Sequence, residues 1–333
     1  MKLNLVLSAL IILALNSCKN APAKYIYNGG MIHGTSYHMV YESPDGKDMQ
    51  AEIDTLLKKY NMIFSVYEKE SVISKVNNNE EVTLAPEFIA CFNKAMEISE
   101  ISDGAFDITC GPMVNAWGFG PDKKGKMTQE KVDSLKLLTG YQKVKLENGK
   151  VVKENINMKL DMNALCDGYF CDLMCEFFIQ KGCKNYLAEI GGEVKAQGKN
   201  EKGNIWTIGI NKPLEEKEFI SNELQAKVQI ENRALATSGN YRNFYIEDGK
   251  KYAHTIDPKT GYPVQHSLLS ASVIAENGLT ADGFATTFMV LGLEKGIEVA
   301  GAVPEIEVFF IYADEKGENQ VYMSEGFKQF IIE

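Results

Sequence analysis

Several predicted strands of this chain follow one another through joints of only a few residues, and this feature constrains the fold most. The joint at residues 247–250 (EDGK) is one example, composed of residue types that form tight turns. Such short joints favour antiparallel neighbours over a doubly wound parallel sheet, whose strands alternate with helices. Helical periodicity is clear in five segments, namely 47–60, 85–101, 128–139, 168–181 and 280–291. The sequence therefore predicts an α+β fold of mostly antiparallel sheets with packed helices.

Composition and charge exclude other classes of protein. The chain has 333 residues, of which 45% are hydrophobic and 24% charged, so it folds rather than remaining disordered. Its formal net charge of -10 argues against a nucleic-acid partner, because phosphate neutralisation requires a basic face. No glycine-rich dinucleotide or P-loop motif follows a predicted strand.

The N-terminal segment has the pattern of an export signal. Met1 and Lys2 precede an uncharged run, 3–17, that is shorter than the roughly 20 apolar residues a membrane-spanning helix requires. Residues 15–18 read LNSC, which resembles a bacterial lipobox, so Cys18 is the expected lipidation site. We therefore expect a signal peptide at 1–17, a lipidated tether at 18–24 and a folded domain at 25–333. The predicted product is an exported lipoprotein, membrane-anchored and facing the periplasm; a plain secretory signal is the alternative.

Two oxygen-bearing side chains stand four residues apart in the predicted helix 280–291. Asp282 and Thr286 would share one face of that helix, and a carboxylate with a hydroxyl forms a hard-oxygen pair suited to Mg²⁺. A structural role is also open for these residues. Thr280 or Asp282 would then cap the helix, and Thr286 would hydrogen-bond to its own backbone.

A second acidic segment, 161–169, leads into the predicted helix 168–181. Asp167 would occupy the cap position of that helix. Free backbone N–H groups would then be available to a phosphate, and carbonyl groups of the segment could face a metal. The alternative is an ordinary capped helix in which Gly168 eases the turn.

Three further features could carry chemistry or only structure. His254 precedes a strong turn signal at 257–261, a position that suits a catalytic base, although a lone histidine is often structural. Residues 237–241 (TSGNY) offer hydroxyl groups and a glycine to a phosphate, or form a turn. Segments 104–112 and 116–120 place aromatic side chains beside glycines, which suits stacking on a planar ring or packing on the core.

Taken in order, these motifs resemble those of the ApbE family of FAD:protein FMN transferases. The resemblance covers about residues 29–292 and rests on HGT at 33–35, FSVY at 64–67, SVISKVN at 71–77, GAFDIT at 104–109, the segment 161–169, EIGGE at 189–193, TSGNY at 237–241, HTIDP at 254–258 and DGFAT at 282–286. Two positions depart from the family pattern. His33 stands where the family has Met, and Asp167 stands where many members carry Lys.

The resemblance implies an exported, often lipid-anchored enzyme that binds FAD with Mg²⁺ and moves FMN onto a Thr or Ser hydroxyl of a partner protein, releasing AMP. The implied acceptor is a subunit of a membrane redox pump. Asp282 and Thr286 would ligate Mg²⁺ with the carbonyl of Ala164, Ala285 lying close by, and His254 would be the general base. The implied FAD-site residues are His33, Tyr67, Ala105, Phe106, Asp107, Asp161, Asp167, Ser238 and Gly239.

Three other functions remain open from the sequence. The same site could hydrolyse FAD to FMN and AMP with water as the nucleophile, acting as a pyrophosphatase. A periplasmic lipoprotein that binds FAD without chemistry is a second possibility. A purely structural surface lipoprotein is the third, and it would leave the ordered motifs unexplained.

Overall fold

The computed structural model of the chain describes residues 24–120, 125–213, 223–240, 244–247 and 250–332. The predicted signal peptide 1–17, Cys18 and the tether up to residue 23 lie outside the described residues. Among the helices that are described, none combines the length and apolar character required to cross a membrane.

Strands and helices alternate irregularly along the described part of the chain. In chain order they are β1 (Lys24–Ile32), β2 (Thr35–Ser43), α1 (Gln50–Phe64), α2 (Val72–Asn77), α3 (Pro86–Ile101), α4 (Gly111–Ala116), α5 (Gln129–Leu137), β3 (Val144–Glu147), β4 (Lys150–Lys153), α6 (Asn163–Gln180), β5 (Tyr186–Ile190), β6 (Glu193–Gln197), β7 (Trp206–Asn211), β8 (Leu224–Ile230), β9 (Arg233–Gly239), β10 (Phe244–Glu247), β11 (Lys250–Ala253), β12 (Leu268–Ala275), α7 (Gly278–Leu291), α8 (Leu293–Ala302), β13 (Glu307–Ala313), β14 (Asn319–Met323) and β15 (Ile331–Ile332).

An eight-stranded sheet in the order β1-β2-β5-β6-β9-β12-β13-β14 forms the centre of the fold. Every neighbouring pair in this sheet is antiparallel. The short joint at 247–250 connects β10 to β11, which also pair antiparallel with Glu247 opposite Lys250. The predicted α+β class with mostly antiparallel sheets is therefore confirmed.

The two faces of the central sheet carry different cores, and β13 shows how the sequence builds both. Val308 and Phe310 point into the large core shared with α6 and α7. Phe309 and Ile311 alternate with them and enter a second core beneath the small sheet β7-β8-β15. Because side chains alternate across a strand, a fully apolar run such as this one indicates a sheet covered on both faces.

Helix α6 begins at Asn163, five residues earlier than predicted. The expectation that Asp167 caps this helix is wrong, since Asp167 lies in its second turn. The alternative that Gly168 eases a turn is also wrong, because Gly168 lies inside the helix, where α6 and α7 cross. A Cβ on Gly168 would overlap the backbone of Gly278, so the glycine permits close helix packing rather than a turn.

The cysteines of the described residues are all free, and five of the six are buried. Cys171 and Cys175 lie one turn apart on α6 within the large core. They pack as small hydrophobic side chains, as their helical spacing predicts.

We expect Gly168→Ala to lower the free energy of unfolding by about 1–3 kcal/mol, because the added Cβ forces α6 and α7 apart. Urea denaturation followed by circular dichroism measures this change. Gly301→Ala is the matched control, since Gly301 lies in α8 with no atom within 4 Å of an added Cβ. That variant should be neutral or more stable by up to about 1 kcal/mol. Equal responses of the two variants would contradict this account of the crossing.

Candidate active site

A cavity of about 280 Å³ brings together nine of the fourteen predicted site residues. They come from separate stretches of the chain and line one space. These nine residues are Tyr67, Ala105, Phe106, Asp107, Asp161, Ala164, Ser238, His254 and Thr286. The other five, His33, Asp167, Gly239, Asp282 and Ala285, are not among its lining residues.

Asp107 and Asp161 bring carboxylates to one side of the cavity. Asp107 is buried, and its Oδ1 accepts hydrogen bonds from the backbone N–H and the hydroxyl of Thr109, at 2.7 and 2.6 Å. Asp161 Oδ1 accepts from the N–H of Asn163 at 2.9 Å, at the start of α6. Burial raises the pKa of both carboxyl groups, although these hydrogen bonds oppose the rise.

Thr286 presents its hydroxyl to the cavity from α7. Its Oγ1 lies 3.2 Å from Oγ of Ser238, at the end of β9, and the two hydroxyls share a hydrogen bond. The hydroxyl of Thr286 thus bonds to a residue of a strand, whereas the next residue, Thr287, donates to a backbone carbonyl of its own helix, that of Gly283, at 2.7 Å. Residues 237–239 are strand rather than the turn considered from the sequence.

Asp282 lies one turn before Thr286 on α7 and is only 6% exposed. It does not cap its helix, since Asn277 does so by accepting the N–H of Thr280 at 2.8 Å. The hydrogen bond that Asp282 accepts comes from the N–H of Gly168 on α6, at 3.0 Å. This bond places the carboxylate at the α6–α7 crossing, close to the first turn of α6 that carries Ala164.

Asp282 and Glu193 are buried carboxylates that lie close to a third, the partly exposed Asp167. Burial, together with repulsion from Asp167, raises the pKa of Asp282 well above its ordinary value. Burial and repulsion from Asp282 raise the pKa of Glu193 in the same way. Gly191 packs against these groups so closely that a Cβ would overlap Asp167 and lie 3.0 Å from Glu193 Oε2. Such a concentration of buried negative charge is favourable only when protons or a cation balance it.

The residues present fit the predicted Mg²⁺ ligands in chemistry. Asp282 offers a carboxylate, Thr286 a hydroxyl and Ala164 a backbone carbonyl, all of which are hard oxygen donors. Ala285 is fully buried in the hydrophobic core, and its methyl side chain has no donor atom. Within the described ranges, no group of three or more His, Cys, Asp or Glu side chains is arranged to hold a metal. The predicted Mg²⁺ ligands do not require such a group, since Asp282 is the only carboxylate among them.

The two departures from the family pattern contact each other. His33 Nε2 lies 2.6 Å from Asp167 Oδ1, and both side chains are largely shielded, at 22% and 26% exposure. The His33 ring also packs edge-on against Phe170 with centroids 5.3 Å apart. His33 therefore contacts Asp167, the acid at the position where many family members carry lysine.

His254 lies at the cavity beside a layer of aromatic rings. Phe119 meets the His254 ring edge-on with centroids 6.3 Å apart, and it stacks on Tyr245 at 5.4 Å. Trp117 was a candidate for stacking on a ligand ring, but it is buried, stacked on Tyr252 at 5.6 Å. Its indole N–H donates to the carbonyl of Gly261 at 2.9 Å. Trp117 thus fixes the loop after His254, whereas Phe119 lines the cavity together with Tyr67 and Phe106.

Sequence reasoning missed several lining residues. Cys110, Asn163 and Thr255 lie within the segments 104–112, 161–169 and 254–258, but no role was predicted for them individually. Thr255 donates its hydroxyl hydrogen to Oδ1 of Asn240 at 2.7 Å, which joins the loop after β11 to the end of β9. Phe119 belongs to the segment 116–120 that was proposed for stacking, and the apolar lining residues that were missed are Ile108, Val114, Ile256, Pro258 and Val290.

A second, more open cleft of about 730 Å³ shares Tyr67 and Asp161 with the cavity. Its lining is mostly polar and includes two lysines, Lys69 and Lys159. The combined volume of the two spaces lies at the upper end of the range for pockets that hold small molecules, about 300–1,000 Å³. The fold and the site thus define an α+β enzyme whose cavity combines aromatic rings, carboxylates and hydroxyl groups.

Comparisons with known proteins identify the family. The model of the ApbE family matches residues 33–310. The chain is 34% identical to the FAD:protein FMN transferase of Vibrio cholerae over 98% of its own length and 97% of that protein. It is 36% identical to the enzyme of the same name from Haemophilus influenzae, over 89% and 88% of the two chains. The chain belongs to the ApbE family, and it is a transferase enzyme.

Two solved structures support the same assignment. The flavin transferase ApbE from Vibrio cholerae superposes with a TM-score of 0.84 at 33% identity, covering 93% of this chain and all of that one. The apo form of the Pseudomonas stutzeri flavinyl transferase ApbE gives a TM-score of 0.82 at 30% identity, covering 92% and 97%. The α+β fold is therefore shared with flavin transferases of known structure.

Proposed function

We propose that this chain transfers FMN from FAD to a Thr or Ser hydroxyl of an acceptor protein, with Mg²⁺ and with release of AMP. The observation that carries the proposal is the cavity in which Thr286, Ser238, His254 and Asp161 meet beside an aromatic ring, Phe119. The names of the relatives support transfer of FMN from FAD to a protein.

The α6–α7 crossing is the proposed position of the metal. Asp282, Thr286 and the carbonyl of Ala164 would hold Mg²⁺, which when bound neutralises the negative charge of the FAD diphosphate. Without a cation, Asp161 and Asp282 would repel that diphosphate, because both place carboxylates at or just behind the cavity wall.

The proposed reaction is a substitution at the phosphorus of the FMN half of FAD. The acceptor hydroxyl oxygen forms a bond to that phosphorus, and the bond from phosphorus to the bridging oxygen breaks, so AMP leaves. His254 takes the hydroxyl proton, which balances the charge of the departing phosphate. Apolar residues such as Ile256 and Val290 exclude water, which favours a protein hydroxyl over hydrolysis.

Mass spectrometry tests the function directly. The protein is incubated with FAD, Mg²⁺ and a peptide with a single Thr, alongside a matched peptide in which that Thr is Val. We expect an FMN adduct on the Thr peptide only, AMP in equal amount and neither product in EDTA. AMP and free FMN in the absence of a peptide would instead indicate a pyrophosphatase. Retained FAD with no AMP would indicate a flavin-binding lipoprotein.

We further propose that the protein is an exported lipoprotein whose acceptor is a subunit of a membrane redox pump. The lipobox-like LNSC sequence at Cys18 supports anchoring. A tether of a few residues would keep the active site near the membrane surface, where such an acceptor presents its hydroxyl.

Cys18→Ala should move the protein from the membrane fraction to the soluble fraction of cells, because the acyl chains have no other attachment point. Membrane fractionation with immunoblotting measures the shift, and mass spectrometry of the wild type should show a lipidated N-terminus. Cys110→Ala is the control for loss of a cysteine elsewhere, and it should stay in the membrane fraction. A Cys18→Ala protein that remains with the membrane after its signal peptide has been removed would contradict the anchor.

A further inference from the structure

Asp172 is a buried carboxylate on α6 that lies outside the cavity and has no role in the proposed chemistry. It is 6% exposed. Its Oδ1 accepts hydrogen bonds from the N–H of Gly278 at 2.8 Å and from Nζ of Lys195 at 2.7 Å. Its Oδ2 accepts from the N–H of Leu279 at 2.9 Å. One side chain of α6 therefore binds the first two amide groups of α7.

These bonds complete the N-terminus of α7. The first four N–H groups of a helix have no partner within it. Asn277, the N-cap, satisfies the N–H of Thr280 through its side chain at 2.8 Å, and its carbonyl accepts the first intrahelical bond, from Ala281 at 3.2 Å. A negative charge at this end also interacts favourably with the helix dipole. Asp172 thus supplies half of the capping from a different helix, which fixes α7 relative to α6.

A second link lies one turn away on both helices. Gly168, four residues before Asp172 on α6, donates its N–H to Asp282, four residues after Gly278 on α7. Between these two links Gly168 and Gly278 pack backbone to backbone. The arrangement fixes the register of the two helices at two successive turns.

The register matters because the proposed ligands come from both helices. Ala164 belongs to the first turn of α6, whereas Asp282 and Thr286 belong to α7. We infer that Asp172 is a positioning residue that holds α7 in register with α6, and so sets the affinity of the site for a divalent cation. This inference rests on the proposed metal set, and it assigns Asp172 no contact with FAD or with the acceptor.

Asp172→Asn tests the inference. The variant keeps the size of the side chain, but an amide N–H₂ replaces one oxygen, so either Gly278 or Leu279 loses its acceptor. We expect the dissociation constant for Mn²⁺, titrated alone and followed by electron paramagnetic resonance, to rise about 10–100-fold, as for other residues that orient metal ligands. At saturating Mg²⁺ the kcat for AMP release should stay within about three-fold of wild type, because FAD and acceptor contacts are unchanged.

Two further variants separate positioning from general stability. Asn277→Ala removes a cap at the same end of α7 but leaves the link to α6, so it should lower the Tm while Mn²⁺ affinity stays near that of wild type. Lys195→Met leaves both bonds from Asp172 to α7, so its effect on Mn²⁺ affinity should be smaller than that of Asp172→Asn.

The outcomes distinguish this inference from the proposed function. Wild-type affinity in Asp172→Asn, or equal losses in Asp172→Asn and Asn277→Ala, would overturn the positioning role. A wild-type protein that does not bind Mn²⁺ would overturn the proposed metal set and the inference that rests on it. A wild type that binds Mn²⁺ but releases FMN to water would change the proposed function and leave the comparison of variants valid.

Discussion

Asp282→Asn should reduce Mg²⁺-dependent FMN transfer by at least about a hundred-fold while the protein stays folded. The carboxylate is the charged member of the proposed metal set, and an amide binds a divalent cation far less well. Asparagine keeps an oxygen that can accept the N–H of Gly168, so the α6–α7 crossing is retained. Initial rates of adduct formation across a Mg²⁺ titration measure the loss.

The same substitution should not destabilise the metal-free protein at neutral pH. Burial and repulsion from Asp167 raise the pKa of Asp282 in the folded state, so folding favours its protonated form. This contribution to stability is present below the unfolded pKa, about 4, and is lost as pH rises through the higher folded pKa. Asparagine is uncharged at every pH, so the variant does not lose stability in this way as the pH rises. The Tm of Asp282→Asn in EDTA at neutral pH should therefore equal or exceed that of wild type.

Mg²⁺ itself provides the decisive comparison. A cation that binds only the folded state raises the Tm in a concentration-dependent way. We expect this rise in the wild type and not in Asp282→Asn. A variant that retained both the Tm rise and the transfer rate would contradict the proposed role of Asp282.

Two neighbouring threonines give a matched pair for the same site. Thr286 faces the cavity, whereas Thr287 is fully buried and donates to the carbonyl of Gly283. Thr286→Val should therefore raise the Mg²⁺ concentration required for transfer. Thr287→Val should mainly lower the free energy of unfolding. This comparison separates loss of a ligand from loss of a hydroxyl group in the same helix.

The sequence predicted the fold class because local signals carried it. Short joints required antiparallel pairing, and the pairing of Glu247 with Lys250 confirms this at one joint. The start of α6 was predicted wrongly because a glycine can serve either a turn or a close helix crossing, and the sequence does not distinguish the two. Gly168 permits contact with Gly278, 110 positions away, and no local pattern shows that partner.

The sequence predicted which residues form the candidate site better than it predicted how they are arranged. Family motifs identified nine residues that line the cavity, although they are far apart in the chain. The contacts that arrange them were not accessible, since they depend on long-range packing. Asp172 binding to the first turn of α7 and His33 pairing with Asp167 are examples. Their residue types allow many other partners, and the fold alone selects these.

His254→Ala should slow FMN transfer by about 10²–10⁴-fold, the usual contribution of a general base. FAD binding should change by less than about three-fold, because the cavity keeps Phe119 and the other lining residues. Fluorescence titration measures FAD binding, and stopped assays of peptide adduct measure transfer. His266→Ala is the control, since His266 contacts the carbonyl of Met289 at 2.9 Å outside the cavity and should transfer normally.

Rescue by imidazole separates a base from a structural ring. His254 packs edge-on against Phe119, so its removal leaves a space beside an aromatic ring that free imidazole can enter. If His254 takes the acceptor proton, added imidazole should restore part of the transfer rate in His254→Ala and have no effect on the wild type. If FAD affinity and transfer fall together and imidazole restores neither, His254 acts in binding rather than as the base. The acceptor hydroxyl would then lose its proton to another group, and Asp161, the half-buried carboxylate of the same cavity with a raised pKa, would be the next residue to substitute.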